Sequence, residues 1–220
     1  MSTVVRREDR HGRTFLLTRN LAKGHRVYNE ELVVRDGTEY RTWDPFRSKL
    51  AAAILKGLHD DVVRAGDRVL YLGTSTGTTP SHVSDIVGEK GLVIGVEFAP
   101  RVAREFVENV ARQRRNVIPY VVDARDPSRY NISKVDLVYC DIAQPDQTEI
   151  AVENCRAMLK PGGTLLLVVK ARSIDVLKEP ETIFAEERRK LEGSGFKVES
   201  SLDLAPFDKD HAMIYARMQA

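Results

Sequence analysis

The sequence carries almost no surplus of charge. Lys and Arg total 34 against 32 Asp and Glu, for a formal charge of +2. A chain that grips nucleic acid by charge alone needs a larger basic excess, so any such grip must come from a local patch or a partner. Cysteine is scarce: Cys140 and Cys155 both sit in apolar segments, without C-x-x-C spacing. They read as buried thiols in a reducing cytosol, and no metal site is expected. No apolar run reaches membrane length and no secretory signal is recognisable. The expectation is a soluble, cytoplasmic protein with no membrane partner. Internal repeats and low-complexity tracts are also missing.

What is present suffices for one substantial domain, or one domain with a small appendage. Hydrophobic residues make up 42% of the chain, enough to bury a real core. Residues 1–55 read as a small β-rich unit and residues 56–220 as the main domain. In the first part, 13–18 and 25–28 are short strand candidates, and 32–35 and 38–41 flank Asp36-Gly37, a hairpin signature. Such a unit is too short to stand alone and is expected to dock on the main domain. A helix is predicted over 48–59, with Leu50, Ile54 and Leu58 on one stripe.

From residue 65 onward the pattern alternates. Strands are predicted at 68–72, 92–96, 117–122, 135–140, 163–169, 196–202 and 212–217, and helices at 80–87, 100–113, 146–159 and 180–192. Continuous apolar strands alternating with helices imply a parallel sheet covered on both faces. Only Asp203 to His211 separates the last two strands, so they should pair antiparallel. The expectation is an α/β fold with a seven-stranded, mostly parallel sheet and one antiparallel strand. That is the architecture of Rossmann-like methyltransferases.

The first strand of this sheet breaks at Gly73-Thr74-Ser75-Thr76-Gly77-Thr78-Thr79, and Pro80 opens a helix. The next strand ends in Glu97. A glycine turn leading into a helix N-terminus brings backbone N–H groups toward a ligand, and an acid about 20 residues on suits ribose hydroxyls. The loop lacks Gly-Lys-Ser/Thr, so it is no P-loop. It also lacks the third glycine of a dinucleotide fingerprint. A cofactor with one nucleoside and no pyrophosphate fits better, and S-adenosylmethionine is the candidate.

In an open parallel sheet, ligands bind beyond the carboxyl ends of the strands. Those ends carry Gly73, Glu97-Phe98, Asp123-Ala124, Asp141 and Lys170. Phe98 is either core or the apolar face on which an adenine lies. Asp123 either caps the turn at Arg125-Asp126-Pro127 or recognises the adenine. Asp141, ending a buried strand, should be paired or face a ligand. Lys170 is either a surface lysine or a perturbed one on the same rim. Asp146 and Glu149 read as a solvated first helical turn, and Arg112-Gln113-Arg114-Arg115 as a solvated helix C-terminus.

Several stretches carry a resemblance. They are Trp43-Asp44-Pro45-Phe46-Arg47-Ser48-Lys49-Leu50-Ala51-Ala52, Val69 to Gly88, Gly95-Val96-Glu97-Phe98, Asp141-Ile142-Ala143-Gln144-Pro145-Asp146-Gln147, Lys170-Ala171-Arg172-Ser173-Ile174-Asp175 and Asp210-His211-Ala212. Together they resemble the fibrillarin family, and its archaeal members above all. These are RNA 2′-O-methyltransferases of box C/D ribonucleoproteins, and the likeness covers nearly the whole chain. Two features depart from the family: the Gly/Arg-rich stretch of eukaryotic members is missing, and Thr74-Ser75-Thr76 replaces smaller residues. The resemblance implies cofactor contacts at Thr78, Thr79, Glu97, Phe98, Asp123, Ala124, Asp141 and Gln144. It also implies a catalytic set matching a Lys-Asp-Lys-Glu tetrad with histidine in the last place: Lys49, Asp141, Lys170 and His211. Implied partners are a guide RNA with its target RNA, a Nop-domain scaffold protein and a kink-turn-binding ribosomal-type protein.

On this reading Lys170 orients and deprotonates a ribose hydroxyl, or holds the alkoxide as it develops. Lys49 and Asp141 set its charge environment, and His211 orients it or completes the hydroxyl's hydrogen bonds. Arg41, Arg47 and Arg172 are candidate phosphate contacts, or plain surface charge. The rival readings are an oxidoreductase on a similar sheet, a methyltransferase for a protein side chain or small molecule, and a non-enzymatic assembly subunit.

Overall fold

The computed structural model describes residues 5–10, 13–130 and 132–219. Residues 1–4, 11 and 12 of the expected N-terminal unit lie outside them. Four strands, β1 (Val5–Arg10), β2 (Arg13–Arg19), β3 (Leu32–Arg35) and β4 (Thr38–Trp43), form an antiparallel sheet in the order β1-β2-β4-β3. Asp36 and Gly37 have φ of 51° and 72°, and Arg35 pairs with Thr38 across them. Positive φ at both central residues is the turn geometry whose twist suits a hairpin.

Two expectations fail in this sheet. Residues 25–28 are irregular chain rather than strand. The Glu30 carboxylate accepts the N–H groups of Val27 (3.0 Å) and Tyr28 (2.8 Å), so these backbone donors are satisfied locally and need no ladder. Conversely, β1 pairs with β2 from Val5↔Thr18 to Arg10↔Arg13. Its charged sequence Arg6-Arg7-Glu8-Asp9-Arg10 has no apolar period from which a strand is legible.

The larger sheet contains β5 (Arg68–Leu72), β6 (Leu92–Glu97), β7 (Val117–Val121), β8 (Val135–Cys140), β9 (Leu159–Lys170), β10 (Phe196–Asp203) and β11 (His211–Met218). Their order is β10-β11-β9-β8-β5-β6-β7. β11 runs antiparallel to both neighbours, and the other pairings are parallel. From β5 the chain winds first toward β7 and then, from β8, the other way. The order therefore reverses between β5 and β8, and a crevice at such a switch point is where open α/β sheets bind ligands.

The helices are α1 (Lys49–Leu55), α2 (Thr78–Val87), α3 (Pro100–Asn109), α4 (Gln147–Met158), α5 (Ala171–Ile174) and α6 (Pro180–Gly193). α1 stops earlier than its stripe suggests, although Leu58 stays buried. α3 stops at Asn109, ahead of a short 3₁₀ turn over Ala111–Gln113. Side-chain alternation along β5 separates two cores. Val69 and Tyr71 face α1 and the N-terminal sheet, whereas Leu70 and Leu72 face the α4 and α6 side. Val5, Leu16 and Trp43 share the first core with Leu50, Val69 and Val83, so the small sheet is docked as expected and the core is continuous across residue 55.

A buried polar cluster closes the same seam and corrects two readings. Arg41 is not a phosphate contact: it is fully buried, donating to Glu30 (2.7 Å), Asp85 (3.1 Å) and Ser81 (2.8 Å). Arg114 is not solvated either; it is buried and ion-paired to Asp85. Charge counts along a sequence cannot tell a surface arginine from one matched inside to a carboxylate of another element. Cys140 and Cys155 are buried free thiols, as expected, and burial pushes the Cys140 thiol up to about 12.

Candidate active site

Gly73 makes the crevice possible. Its φ is +82°, and a Cβ there would lie 2.7 Å from the Asp141 carbonyl oxygen. Glycine alone lets the loop after β5 come this close to the end of β8. The Asp141 N–H donates to the Leu72 carbonyl (2.9 Å) and locks the two strand ends together. The space vacated by the missing Cβ is thus filled by Asp141 backbone. Beyond the loop, Thr78 and Thr79 open α2, where a helix leaves its first N–H groups without intrahelical acceptors. The Thr79 hydroxyl donates to Ser48 Oγ (3.0 Å), and Ser48 caps α1, so the loop is tied to the helix that presents Lys49.

Glu97 reaches back over the loop. One carboxylate oxygen accepts the Ser75 N–H (3.0 Å) and the other the Ala99 N–H (3.0 Å). Each oxygen keeps a second lone pair, so the group still has capacity for ribose hydroxyls. Phe98 is 69% exposed at this rim, which removes the core alternative. Asp123 does cap its turn, accepting the Arg125 N–H (2.9 Å), while its other oxygen lies 3.7 Å from the Arg125 guanidinium. Ala124 is buried beside it, and its carbonyl accepts from Asn154 (2.8 Å). Arg125 also donates to Gln144 (2.9 Å) and to Asp146 (2.8 Å), so Asp146 is paired rather than simply solvated.

Asp141 is the hub of the polar cluster. Lys170 Nζ lies 2.8 Å from one carboxylate oxygen and donates to the Asp141 carbonyl at 2.9 Å. Lys49 Nζ donates to the other carboxylate oxygen at 3.3 Å. These groups arrive from three elements: the end of β8, the end of β9 and the first turn of α1. His211, the first residue of β11, is the direct register partner of Lys170. The four residues of the implied tetrad therefore gather at one end of the sheet. Gln147, fully buried on α4, accepts the Lys170 N–H (3.1 Å) and fixes where β9 ends.

One member of this cluster is absent from the sequence reading. Asp208 lies in the short connection between β10 and β11, 2.9 Å from His211 Nδ1 and 3.6 Å from Lys49 Nζ. Nothing in its local sequence marks it, because the loop residues around it are ordinary turn formers. Only the antiparallel return of β11 places it. Burial alone would pull the Lys49 ammonium down, but Asp141 and Asp208 together outweigh it and hold Lys49 above the ordinary lysine range. Burial would raise Asp208, yet the contacts with His211 and Lys49 hold it below the usual carboxylate range.

The other arginine candidates are exposed. Arg47 donates to the Tyr28 carbonyl (3.2 Å), and Arg172 donates to Asp210 (3.1 Å) and the Val176 carbonyl (2.9 Å).

The fibrillarin family model matches residues 1–220. The chain belongs to the fibrillarin family. A fibrillarin-like rRNA/tRNA 2′-O-methyltransferase of Pyrobaculum calidifontis is 53% identical over 217 residues, covering 97% of this chain and 92% of that one. The structure of Aeropyrum pernix fibrillarin with natively bound S-adenosyl-L-methionine aligns with TM-score 0.87 and 47% identity, covering 96% of this chain and 97% of the other. A fibrillarin/Nop5p complex aligns with TM-score 0.87 and 40% identity over 99% and 98% of the two chains. The fold of this fibrillarin-family chain is the expected one: a Rossmann-like methyltransferase sheet with one antiparallel strand, plus an N-terminal antiparallel sheet. Among the described residues no helix is long and apolar enough to cross a membrane, and no cluster of metal-ligating side chains is present.

Proposed function

We propose that this chain transfers a methyl group from S-adenosyl-L-methionine to the ribose 2′-oxygen of rRNA and tRNA, directed by a box C/D guide RNA. The observation that carries this reading is the cluster on Asp141. Two lysines meet one carboxylate beside a glycine loop at the switch point of the sheet. A binding module has no need of such a set. The named activity of the Pyrobaculum relative and the ligand of the Aeropyrum structure agree with it.

The residues present fit the cofactor. The α2 N-terminus at Thr78 and Thr79 with Gly73, the spare lone pairs of Glu97, the exposed ring of Phe98, and Asp123, Ala124 and Gln144 would hold it. Thr74 Oγ1, a buried hydroxyl without a partner in the loop, is a further polar group there. Absence of a pyrophosphate fingerprint suits a single nucleoside. When bound, this cofactor supplies a sulfonium-activated methyl group that passes to the ribose oxygen and leaves a neutral thioether.

The protein's part is placement and the handling of one proton. Lys170 donates one N–H to the Asp141 carbonyl and is ion-paired to its carboxylate, which leaves donor capacity for the ribose oxygen. Its ammonium holds the alkoxide as it develops, the second of the two roles open to it. Asp141 fixes both lysines, and Lys49 adds a second positive charge behind the reacting oxygen.

The fibrillarin/Nop5p complex supports a Nop-domain partner for this chain. Guide RNA, target RNA and a kink-turn-binding protein complete the proposed assembly, and they supply the targeting that a formal charge of +2 does not. The division into an N-terminal unit (1–55) and a methyltransferase unit (56–220) and a cytoplasmic location belong to the same reading. The test is methylation in the reconstituted assembly, using target RNA with ribose or 2′-deoxyribose at the guided nucleotide. Methyl incorporation only with the ribose supports the proposal. Equal incorporation with both substrates, or none with either, overturns it.

A further inference from the structure

We propose that Asp208 is a positioning residue that fixes His211 as the Nδ1–H tautomer, so that His211 Nε2 is the acceptor for the ribose hydroxyl. The inference rests on the function proposed above and assigns a role within that same site.

His211 Nδ1 lies 2.9 Å from Asp208 Oδ1 and 2.7 Å from the Lys209 carbonyl oxygen. A carbonyl has only lone pairs to offer, and an ionised carboxylate likewise accepts without donating. Two acceptors on one ring nitrogen require that nitrogen to carry the proton. In a neutral imidazole the other nitrogen then has the lone pair, because the hydrogen bond at one nitrogen sets the state of the other.

An imidazole can take a proton from a ribose hydroxyl only if its available nitrogen carries the lone pair. Asp208 supplies that condition together with the Lys209 carbonyl, from a loop the fold has braced. The Leu204 N–H donates to the His211 carbonyl (3.0 Å), the Asp208 N–H donates to the Leu204 carbonyl (3.2 Å), and Lys56 donates to the Ala205 carbonyl (2.8 Å).

The second oxygen of Asp208 has its own task, at 3.6 Å from Lys49 Nζ. One carboxylate thus serves two donors, the imidazole and the ammonium. An amide of the same shape has one acceptor oxygen and cannot serve both. The charged and titratable groups around this pair are Lys49 from α1, Asp141 from the end of β8, Lys170 from β9 and His211 from β11. A ribose hydroxyl among them meets a donor in Lys170 and an acceptor in His211. Its proton goes to Nε2 while Lys170 holds the oxygen.

The tautomer is read directly by two-bond ¹H–¹⁵N correlation on the wild-type chain at a pH where the ring is neutral, with His211→Gln identifying the signals. The pattern of Nδ1–H is expected; the pattern of Nε2–H overturns the proposal whether or not RNA is the acceptor. Turnover in the reconstituted assembly is the second readout. Asp208→Asn should lower kcat by roughly 10- to 100-fold, on the scale of losing the hydrogen-bond partner that orients a metal-bound histidine. KM for the RNA and calorimetric affinity for S-adenosylmethionine should stay within about twofold, as expected of a group that acts on the chemical step alone. Asp208→Glu should recover part of kcat. A kcat of Asp208→Asn within about twofold of wild type, or a loss that appears only in cofactor affinity, overturns the proposal.

Discussion

Lys170 and His211 are register partners across the β9–β11 ladder, with Lys170 at the end of one strand and His211 at the start of the other. Their backbones are fixed by the sheet, so the ammonium and the imidazole are held without a flexible loop between them. Lys170→Ala should therefore remove the donor while leaving the strand and the cofactor crevice in place. Methyl transfer in the assembled complex should fall by about 10²–10³-fold, the range for removing one donor to a developing oxyanion. Calorimetric binding of S-adenosylmethionine should persist. Activity within a few-fold of wild type would remove Lys170 from the mechanism.

Glu97 carries two duties, and substitutions should separate them. Its carboxylate organises the loop through Ser75 and Ala99, and its spare lone pairs are proposed to hold the ribose of the cofactor. Glu97→Ala should raise the Kd for S-adenosylmethionine at least about tenfold, equivalent to about 1.4 kcal/mol. NAD should bind neither form, since the loop lacks the pyrophosphate fingerprint. Titration calorimetry against both ligands decides this, and tight NAD binding would restore the oxidoreductase reading.

Gly73→Ala tests the crevice from the backbone side. The substitution puts a Cβ 2.7 Å from the Asp141 carbonyl and demands φ of +82° of an alanine. A strained position of this kind costs about 1–3 kcal/mol. A lowered Tm is expected together with weakened cofactor binding, because relief of the clash must move either the loop or Asp141. Thermal denaturation with and without S-adenosylmethionine measures both effects.

The fold was legible wherever apolar period and turn chemistry were local. β5 through β11 and the Asp36-Gly37 hairpin arise from runs of apolar residues and punctuation. β1 was not legible, because its stabilisation comes from pairing with β2 and its side chains alternate no apolar face. At the site, strand ends marked Asp141, which as a carboxylate closing a buried strand needs a partner or a ligand, and Lys170, for which a surface lysine was the open alternative. Lys49 and His211 needed the family resemblance. Asp208 escaped both routes: its role exists only because the antiparallel return of β11 sets it against a helix more than 150 residues away in the chain. Arg41 and Arg114 were misplaced for the same reason. Their partners Glu30 and Asp85 lie on other elements, and ionic matching inside a seam leaves no local trace.

That seam also predicts a dependence on its central carboxylate. Asp85 serves Arg41 and Arg114 at once and accepts the Thr18 hydroxyl at 2.9 Å, all of them buried. Asp85→Ala would leave two buried guanidiniums short of a partner, a change that costs about 3–5 kcal/mol at such sites. Denaturant unfolding should show the loss as a lower midpoint. A change below about 1 kcal/mol would mean that water or a neighbour replaces the carboxylate.

Acid sensitivity should begin in the same cluster, at His82. Its ring stacks on Trp43, with centroids 4.9 Å apart, and is fully buried. Thr18 spends its proton on Asp85 and so accepts from His82 Nδ1 at 2.7 Å, leaving Nε2 with the lone pair, which faces the Arg41 guanidinium at 3.4 Å. Burial first, then the Arg41 and Arg114 charges, hold this histidine well below its ordinary value. The folded protein therefore keeps His82 neutral where the unfolded chain takes up a proton. Stability should fall as pH drops below about 6.5, the value for an unfolded histidine. Asp208, held low in the folded state, adds to the loss only further down, below about 3.9, and Lys49, held high, withdraws its contribution only above about 10.4. Unfolding free energies between pH 7.5 and 5 for wild type and His82→Gln separate these windows. The wild type should lose stability across that range, and the variant should have a flatter profile even if its plateau is lower. Equal slopes would show that His82 is not the group that titrates.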